Sequence, residues 1–360
     1  MKTRTIAVFG YYGMSNFGDD LFCTIATEQA GEIWPGTRVL VVGPQLHSTV
    51  GRFLVPRFLA AAWRRPGPVG IAVRLLISTF AILRASDAVY FGGSVLSTPS
   101  GVQQFQFLLL RLLRRRVCAL GVSIGPFTDE KSRNQVHRIL RESTNVVVRD
   151  AQSSLVAETL GITATYGGDL AALYNGAAPE PRSSGYVLGV IPCKTATVSE
   201  DQFIETVSKV CERLQKEVDD LTVRVLTLNT HPQAGDTQFA QRLLFELQAR
   251  DIRVAEHAHA TQVEVTWNMI AGCDEIWSIR LHGAIVAYLA KVPFLLTNYH
   301  SKCRDFVAGV PPEAGLLISP DATPDEIYEG RSKIEDVRLR ASGSEKYVAR
   351  ARAAYLDLDR

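Results

Sequence analysis

Arg280, Leu281 and His282 stand directly before Gly283 in the segment WSIRLHGAIVAYLAKVP (277–293), where a short strand-like run gives way to an apolar, helix-like stretch. A guanidinium offers a rigid planar fork of donors to a carboxylate or phosphate. An imidazole exchanges a proton near neutral pH. In an extended chain residues i and i+2 point to one face, so the spacing predicts that Arg280 and His282 converge on one spot. The N-terminus of the following helix would add favourable potential for an anion. The plainer reading is a structural histidine at a helix start beside a surface arginine. At the next strand end, NYHSKCRDF (298–306) brings Tyr299, His300, Lys302 and Arg304, cations of the same kind.

Other loops carry polar groups at positions where a strand hands over to a helix. GYYGMSNFGDD (10–20) has Gly10, Gly13 and Gly18 for a tight path, Asn16 as a polar group, and Asp19 or Asp20 to cap the helix that follows. Its N–H groups are expected either to face an anion or simply to form a turn and cap. FGGSVLSTPSG (91–101) offers Gly92 and Gly93 for close backbone approach and the hydroxyl of Ser94. GVSIGPF (121–127) places Gly125 after a strand, and VVVRD (146–150) ends in Arg149 and Asp150. Arg149 reads as a ligand-facing cation and Asp150 as a helix cap. YGGDLAALY (166–174) sets Asp169 after a glycine pair, as a cap or as part of a cleft wall. LNTHPQAGD (228–236) puts His231 and Asp236 just past a strand end, where His231 is equally a ligand or a bystander.

These loops need elements to hold them. Continuous apolar runs at 4–10, 37–43, 87–93, 116–123 and 145–150 alternate with helix-like stretches that include 19–31, 101–114 and 130–143. Continuous rather than alternating apolar runs predict strands covered on both faces, hence parallel sheets sandwiched by helices. YNGAAPEPRSSG (174–185) has no periodicity and reads as a linker. After it the alternation restarts, with strands at 186–192, 221–229, 252–257, 275–279 and 293–299. The chain is therefore expected to be α/β, with two Rossmann-like, doubly wound parallel-sheet domains facing a cleft: an N-terminal one over 1–178 and a C-terminal one over 179–335 carrying Arg280 and His282. A terminal helix over 336–360 follows. Ligands of such sheets bind beyond the carboxyl ends of the strands.

Composition narrows the function classes. A net charge of +2 over 360 residues argues against a polyanion binder, so no nucleic-acid partner is expected. Six cysteines without a C-x-x-C pair suggest buried reduced thiols and a cytoplasmic protein. The start MKTRTIAVFG reads as a first strand rather than a signal peptide. VGIAVRLLISTFAIL (69–83) contains Arg74, is short for a membrane span and is expected as a buried helix. The stretch 58–74 mixes Trp63 with Arg64, Arg65 and Arg74, which suits peripheral membrane contact as well as a packed helix pair; the packed pair is the simpler expectation. No zinc-ligand spacing, Walker motif or nucleophile elbow is present, and no dedicated metal site is expected. Oligomeric state is not legible.

In their order and spacing, GYYGMSNFGDD, FGGSVL, GVSIGPF, VVVRDAQSSLVAETLGI, GGDLA, IRLHGAIVAYLAKVPFL and YHSKCRDF together resemble the polysaccharide pyruvyl transferases, over roughly 4–310. The resemblance implies a fold similar to GT-B glycosyltransferases. It also implies transfer of the enolpyruvyl unit of phosphoenolpyruvate onto two hydroxyls of a sugar in a glycan or glycolipid, giving a pyruvate ketal and phosphate, with phosphoenolpyruvate as donor substrate and no cofactor. On that reading Arg280 binds one anionic group of the donor, Arg149 and Lys302 support it, and His282 is a general acid or base. Asn16, Asp19, Gly13, Gly93, Ser94, Gly125 and His231 become substrate-binding candidates. The chain departs from the pattern at Gly92-Gly93-Ser94, where many relatives have a third glycine and a nearby acid. A GT-B glycosyltransferase using a nucleotide sugar, or a non-catalytic glycan-binding protein, fits the same fold.

Overall fold

The computed structural model of the protein describes residues 4–47, 49–176, 185–312, 314–334 and 342–356. Contacts divide it into two units, one made of Met1–Met14, Gly18–Tyr174 and Val348–Arg360, the other of Ser15–Phe17 and Asn175–Tyr347. The expected boundary at 178/179 and the expected start of the last helix at 336 lie outside the described residues.

The first unit holds a seven-stranded sheet of β1 (Thr5–Phe9), β2 (Arg38–Pro44), β3 (Phe53–Val55), β4 (Asp87–Leu96), β5 (Arg116–Ile124), β6 (Ser143–Val148) and β7 (Thr165–Tyr166). Its order is β3-β2-β1-β4-β5-β6-β7, and every pairing is parallel. Runs such as RVLVVGP and STNVVV form strands because β-branched side chains pack well on a pleated surface. The second unit repeats the plan with β8 (Val187–Ile191), β9 (Thr222–Thr227), β10 (Val254–Ala258), β11 (Glu275–Ser278), β12 (Phe294–Thr297) and β13 (Gly315–Ile318). Its order is β10-β9-β8-β11-β12-β13, again all parallel. In each unit the order reverses once, between β1 and β4 and between β8 and β11. That reversal opens a crevice at the strands' carboxyl ends, which is where open α/β sheets bind ligands.

Each sheet is covered by helices and buries its own apolar cluster. The first includes Phe9, Tyr90, Val122 and Val148, the second Val190, Val225, Phe239 and Trp277. β3, β7 and β13 were not anticipated. They are short edge strands, too brief to show a pattern. The first helix runs Phe17–Glu28, two residues ahead of expectation, so Asp19 and Asp20 sit in its first turn instead of capping it. The last helix, Ser342–Leu356, sets Tyr347 edge-on to Tyr288 in the second unit, and the Tyr355 hydroxyl donates to the Gly168 carbonyl in the first.

The helix Gly67–Arg84 corrects another expectation. Only five of its eighteen residues are buried, namely Gly70, Ile77, Ser78, Ala81 and Ile82. By length and composition it is apolar enough to cross a membrane. Yet Ile77, Ala81 and Ile82 pack into the core cluster, which lays the helix along the sheet. Of the two readings of the stretch around Trp63, packing holds for this side chain: it is buried and donates from Nε1 to the Tyr12 carbonyl at 3.3 Å.

Candidate active-site residues at the strand ends

In the second unit, four adjacent strands (β9, β8, β11 and β12) deliver their following loops to one end of the sheet. β11 stops at Ser278, whose hydroxyl donates to the Arg280 carbonyl at 2.5 Å. Arg280 then takes the N-cap position with an extended backbone, and the helix Leu281–Leu289 begins. The Gly283 N–H closes the turn on the Arg280 carbonyl at 3.0 Å. A side chain at Gly283 would lie 2.4 Å from Ser278 Oγ and 2.5 Å from the Ile191 side chain, so glycine lets the helix start press onto the strand ends. The expectation of an extended Arg280–His282 pair is thereby corrected: His282 lies in the first helical turn, half-buried, and the two do not share a strand face.

Arg280 is not a loose surface cation. Its side chain is 19 % exposed, and Nε donates to the carboxylate of Asp236, which is fully buried. Among the described residues no further hydrogen-bond partner meets its terminal nitrogens. Burial works to lower the pKa of Arg280, but Cys193, Asp236 and Tyr299 outweigh it and hold the guanidinium above its ordinary value. Asp236 stands at the N-cap of the helix Thr237–Ala249 yet makes no cap bond, because one oxygen accepts from the Lys194 N–H at 2.9 Å and the other from Arg280. The loop that presents it is tightly knit. Asp236 N–H donates to the Asn229 carbonyl, and Asn229 Nδ2 donates to the Ala234 carbonyl, both at 2.8 Å. His231 Nδ1 accepts from the N–H groups of Gln233 and Ala234 at 3.2 Å each, which gives His231 a turn-holding task. Asn16 meets this loop through an antiparallel bridge to Asn229.

Lys302 approaches the same end of the sheet, with Nζ 5.0 Å from the centre of the Tyr299 ring. His300 caps the helix Ser301–Ala308 by accepting from the Lys302 N–H at 3.3 Å. Burial pushes the Cys193 thiol up to about 11, against the pull of Arg280 and Lys302, so it stays protonated at neutral pH.

In the first unit a different cluster gathers at the ends of β4, β5 and β6. Arg149, its side chain 6 % exposed, donates from Nε to Ser123 Oγ at 2.6 Å and from a terminal nitrogen to Ser94 Oγ at 3.2 Å. Its guanidinium lies 3.6 Å from Asp150 and 3.9 Å from Asp169. Asp150 caps the helix Ala151–Thr159 through the Ser153 N–H at 2.7 Å, as its position suggests. Asp169 caps the short turn Leu170–Leu173; burial pushes its carboxyl up, and Arg149 draws it back only in part. Replacing Arg149 by Met keeps the stem and removes the charge facing both carboxylates. The expected loss is about 3 kcal/mol, the lower end for breaking a buried pair, read as a shift in urea midpoint at unchanged slope.

Two glycines of the first unit's loops serve packing. A side chain on Gly92 would lie 2.3 Å from the Phe22 ring, and one on Gly13 would lie 2.2 Å from Pro44; both have positive φ. Gly93 and Gly125 also have positive φ, and the Gly125 N–H donates to the Leu96 carbonyl at 3.3 Å. The Gly13 N–H, a candidate anion donor, is taken at 2.8 Å by the Asp20 carboxylate. Asp19 lies half-buried near Tyr11, whose hydroxyl is pushed up first by burial and then by the Asp19 charge. The structure thus joins Ser94 to Arg149 in one unit. In the other it gathers Arg280, Lys302 and the His231 loop. Asp236 and Ser123 were not recognised as partners of the two arginines, since only the sheet order brings them there.

A sequence profile described as polysaccharide pyruvyl transferase matches residues 16–301. The chain belongs to that family. Among curated proteins none matches. Solved structures resemble it in fold at low identity. A UDP-GlcNAc 2-epimerase from Methanocaldococcus jannaschii is 10 % identical, with a TM-score of 0.58 over 97 % of this chain and 99 % of that one. A glycosyltransferase from Rickettsia africae is 14 % identical, with a TM-score of 0.56 over 99 % and 96 %. A sucrose-phosphate synthase from Thermosynechococcus elongatus is 13 % identical, with a TM-score of 0.55 over 98 % and 95 %. These likenesses make the family member's fold GT-B-like, with two Rossmann-like parallel sheets.

Proposed function

We propose that this family member transfers the enolpyruvyl unit of phosphoenolpyruvate to two hydroxyls of a sugar in a glycan or glycolipid, forming a pyruvate ketal. Two C–O bonds form at the central carbon of the donor and its bond to the phosphate oxygen breaks. One hydroxyl proton goes to the methylene carbon and the other leaves with phosphate or solvent. The reaction is redox-neutral and is written without a cofactor; it is assigned to the cytoplasm.

The observation that carries the reading is the anchoring of Arg280 by Asp236 at the point where the strand order reverses. A guanidinium fixed through Nε presents its terminal nitrogens in a set direction, which suits a carboxylate or phosphate. Lys302 adds a second cation from the first turn of the helix Ser301–Ala308. His282, in the first turn of the helix that Arg280 caps, is the group we assign to proton transfer.

Thermal unfolding with and without phosphoenolpyruvate tests this. A ligand that binds only the native state at about 100 times its Kd stabilises by about 2.7 kcal/mol. A clear rise in Tm for the wild type, lost in Arg280→Ala, is the expected result. No shift with phosphoenolpyruvate and a clear one with a UDP- or GDP-sugar would replace the proposal with a glycosyltransferase.

A further inference from the structure

Charge is distributed unevenly along the chain. From 33 to 128 the only acidic residue is Asp87, in a protein whose total charge is nearly balanced. That carboxylate is buried and bonded to Arg4 and Arg116 at 2.8 and 2.9 Å, so it offers nothing to the surface. The remaining charges of the segment are arginines. Some are structural: Arg64 donates to the Gly13 carbonyl, and Arg74 donates to those of Trp63 and Arg65. Arg57, Arg65, Arg84 and Arg114 are exposed, as is Arg111, which pairs with Glu142 at 3.5 Å.

Those arginines flank an apolar face. Along the helix Gly67–Arg84, positions 69, 72, 76, 80 and 83 follow the helical repeat and lie on one side. They are Val69, Ala72, Leu76, Phe80 and Leu83, all exposed, with Leu76 67 % accessible. The stripe spans fifteen residues, or about 21 Å from first to last at 1.5 Å per residue. The helix Gly101–Leu112 packs beside it through Gln106, whose Nε2 donates to Ser78 Oγ at 2.8 Å. Its outer side carries Phe105, Leu108 and Leu112, the last 70 % accessible. Phe58, in the short turn Arg57–Leu59 ahead of the helix Ala60–Arg64, is 82 % accessible. Monomeric proteins rarely leave so many apolar side chains open in one region without a use for them.

We infer that this face docks on a membrane surface bearing anionic lipid headgroups. The apolar stripe enters the boundary of headgroups and acyl chains with the helix lying in the plane, and the exposed arginines pair with lipid phosphates. A spanning role does not fit, because the opposite side of the helix is committed to the core through Ile77, Ala81 and Ile82. A second copy of the chain fits poorly: a two-fold contact sets a face against itself, and here that would confront arginine with arginine, the surface carboxylate beside them, Glu142, being engaged with Arg111. The inference stands apart from the choice of donor substrate.

Vesicle flotation of the intact chain tests it, using phosphatidylcholine vesicles with and without phosphatidylglycerol at low and high salt. The wild type is expected to float with the anionic vesicles and to be released by salt. A basic residue near an anionic surface is worth about fivefold in partitioning, so Arg57→Glu with Arg65→Glu is expected to weaken it by about 25-fold or more. Leu76→Glu with Leu83→Glu is expected to weaken it by at least about tenfold. Both pairs lie on exposed positions and should unfold at the wild-type midpoint. A wild type that floats with neither vesicle overturns the inference, as does equal flotation of folded variants. A concentration-dependent dimer abolished by the leucine pair, in a chain that ignores vesicles, would give the face to a second copy instead.

Discussion

His282→Ala is expected to lower kcat by about 10²–10⁴, the range supplied by one positioned acid or base, while leaving phosphoenolpyruvate binding and the unfolding midpoint close to wild type. The structural expectation follows from position. His282 is half-buried in the first turn of Leu281–Leu289, and the contact that seats this helix on the strand ends belongs to the backbone at Gly283. Alanine favours the helix at least as well as histidine does. Gly283→Ala, by contrast, would drive a methyl onto Ser278 and Ile191. The catalytic expectation follows from the balance of the proposed reaction, in which each ketal formed moves two hydroxyl protons. His282→Gln provides a further discrimination, because it keeps a hydrogen-bonding side chain and removes titration. A similar loss in both variants assigns proton transfer to the imidazole. Near-full turnover in the alanine variant removes His282 from the chemistry, and full activity in glutamine alone makes it a hydrogen-bonding group.

Much of the fold is legible in the sequence because its strands are long apolar runs. VVGP, NVVV and YVLGVIP state both their conformation and their burial, and the alternation with amphipathic stretches states that the sheets are parallel. β3, β7 and β13 escape because two to four residues at a sheet edge carry no period. Hydrophobicity also fails to say which way a helix faces. The stretch 69–83 is apolar all round, which suggests burial, yet its open side is as apolar as its packed side. Trp63 shows the converse: its arginine neighbours leave surface contact and packing both open, and the bond of its indole N–H to the Tyr12 carbonyl places it inside. The candidate site is legible in residue type but not in geometry. Arg280 and His282 could be picked out, but their relation depends on a strand that stops at Ser278. Asp236 reads only as a carboxylate just past a strand end until the sheet order sets it beside Arg280.

That partnership sets up the second large effect. Asp236→Ala is expected to cost about 3–5 kcal/mol, because it leaves Arg280 buried with no carboxylate and removes the acceptor of the Lys194 N–H. The loss should appear as a lower unfolding midpoint for the second unit, and donor binding should fall with it as the guanidinium loses its orientation. Arg280→Lys tests the same point from the other side. An ammonium on a flexible stem cannot hold Asp236 and present a fork to a ligand at once. Losing one charge-assisted bond to the donor should weaken binding by about 1.5–3 kcal/mol, roughly 10- to 100-fold. The two effects separate in the double variant Asp236→Leu with Arg280→Met. If the pair is mainly a charge balance, removing both partners strands neither, and the double variant should be markedly more stable than Asp236→Ala alone. It should still fail to bind phosphoenolpyruvate, since the fork is gone. Additive stability losses would mean that Asp236 acts through Lys194 and its own loop rather than through Arg280. Recovered stability with donor binding intact would remove Arg280 from the substrate site.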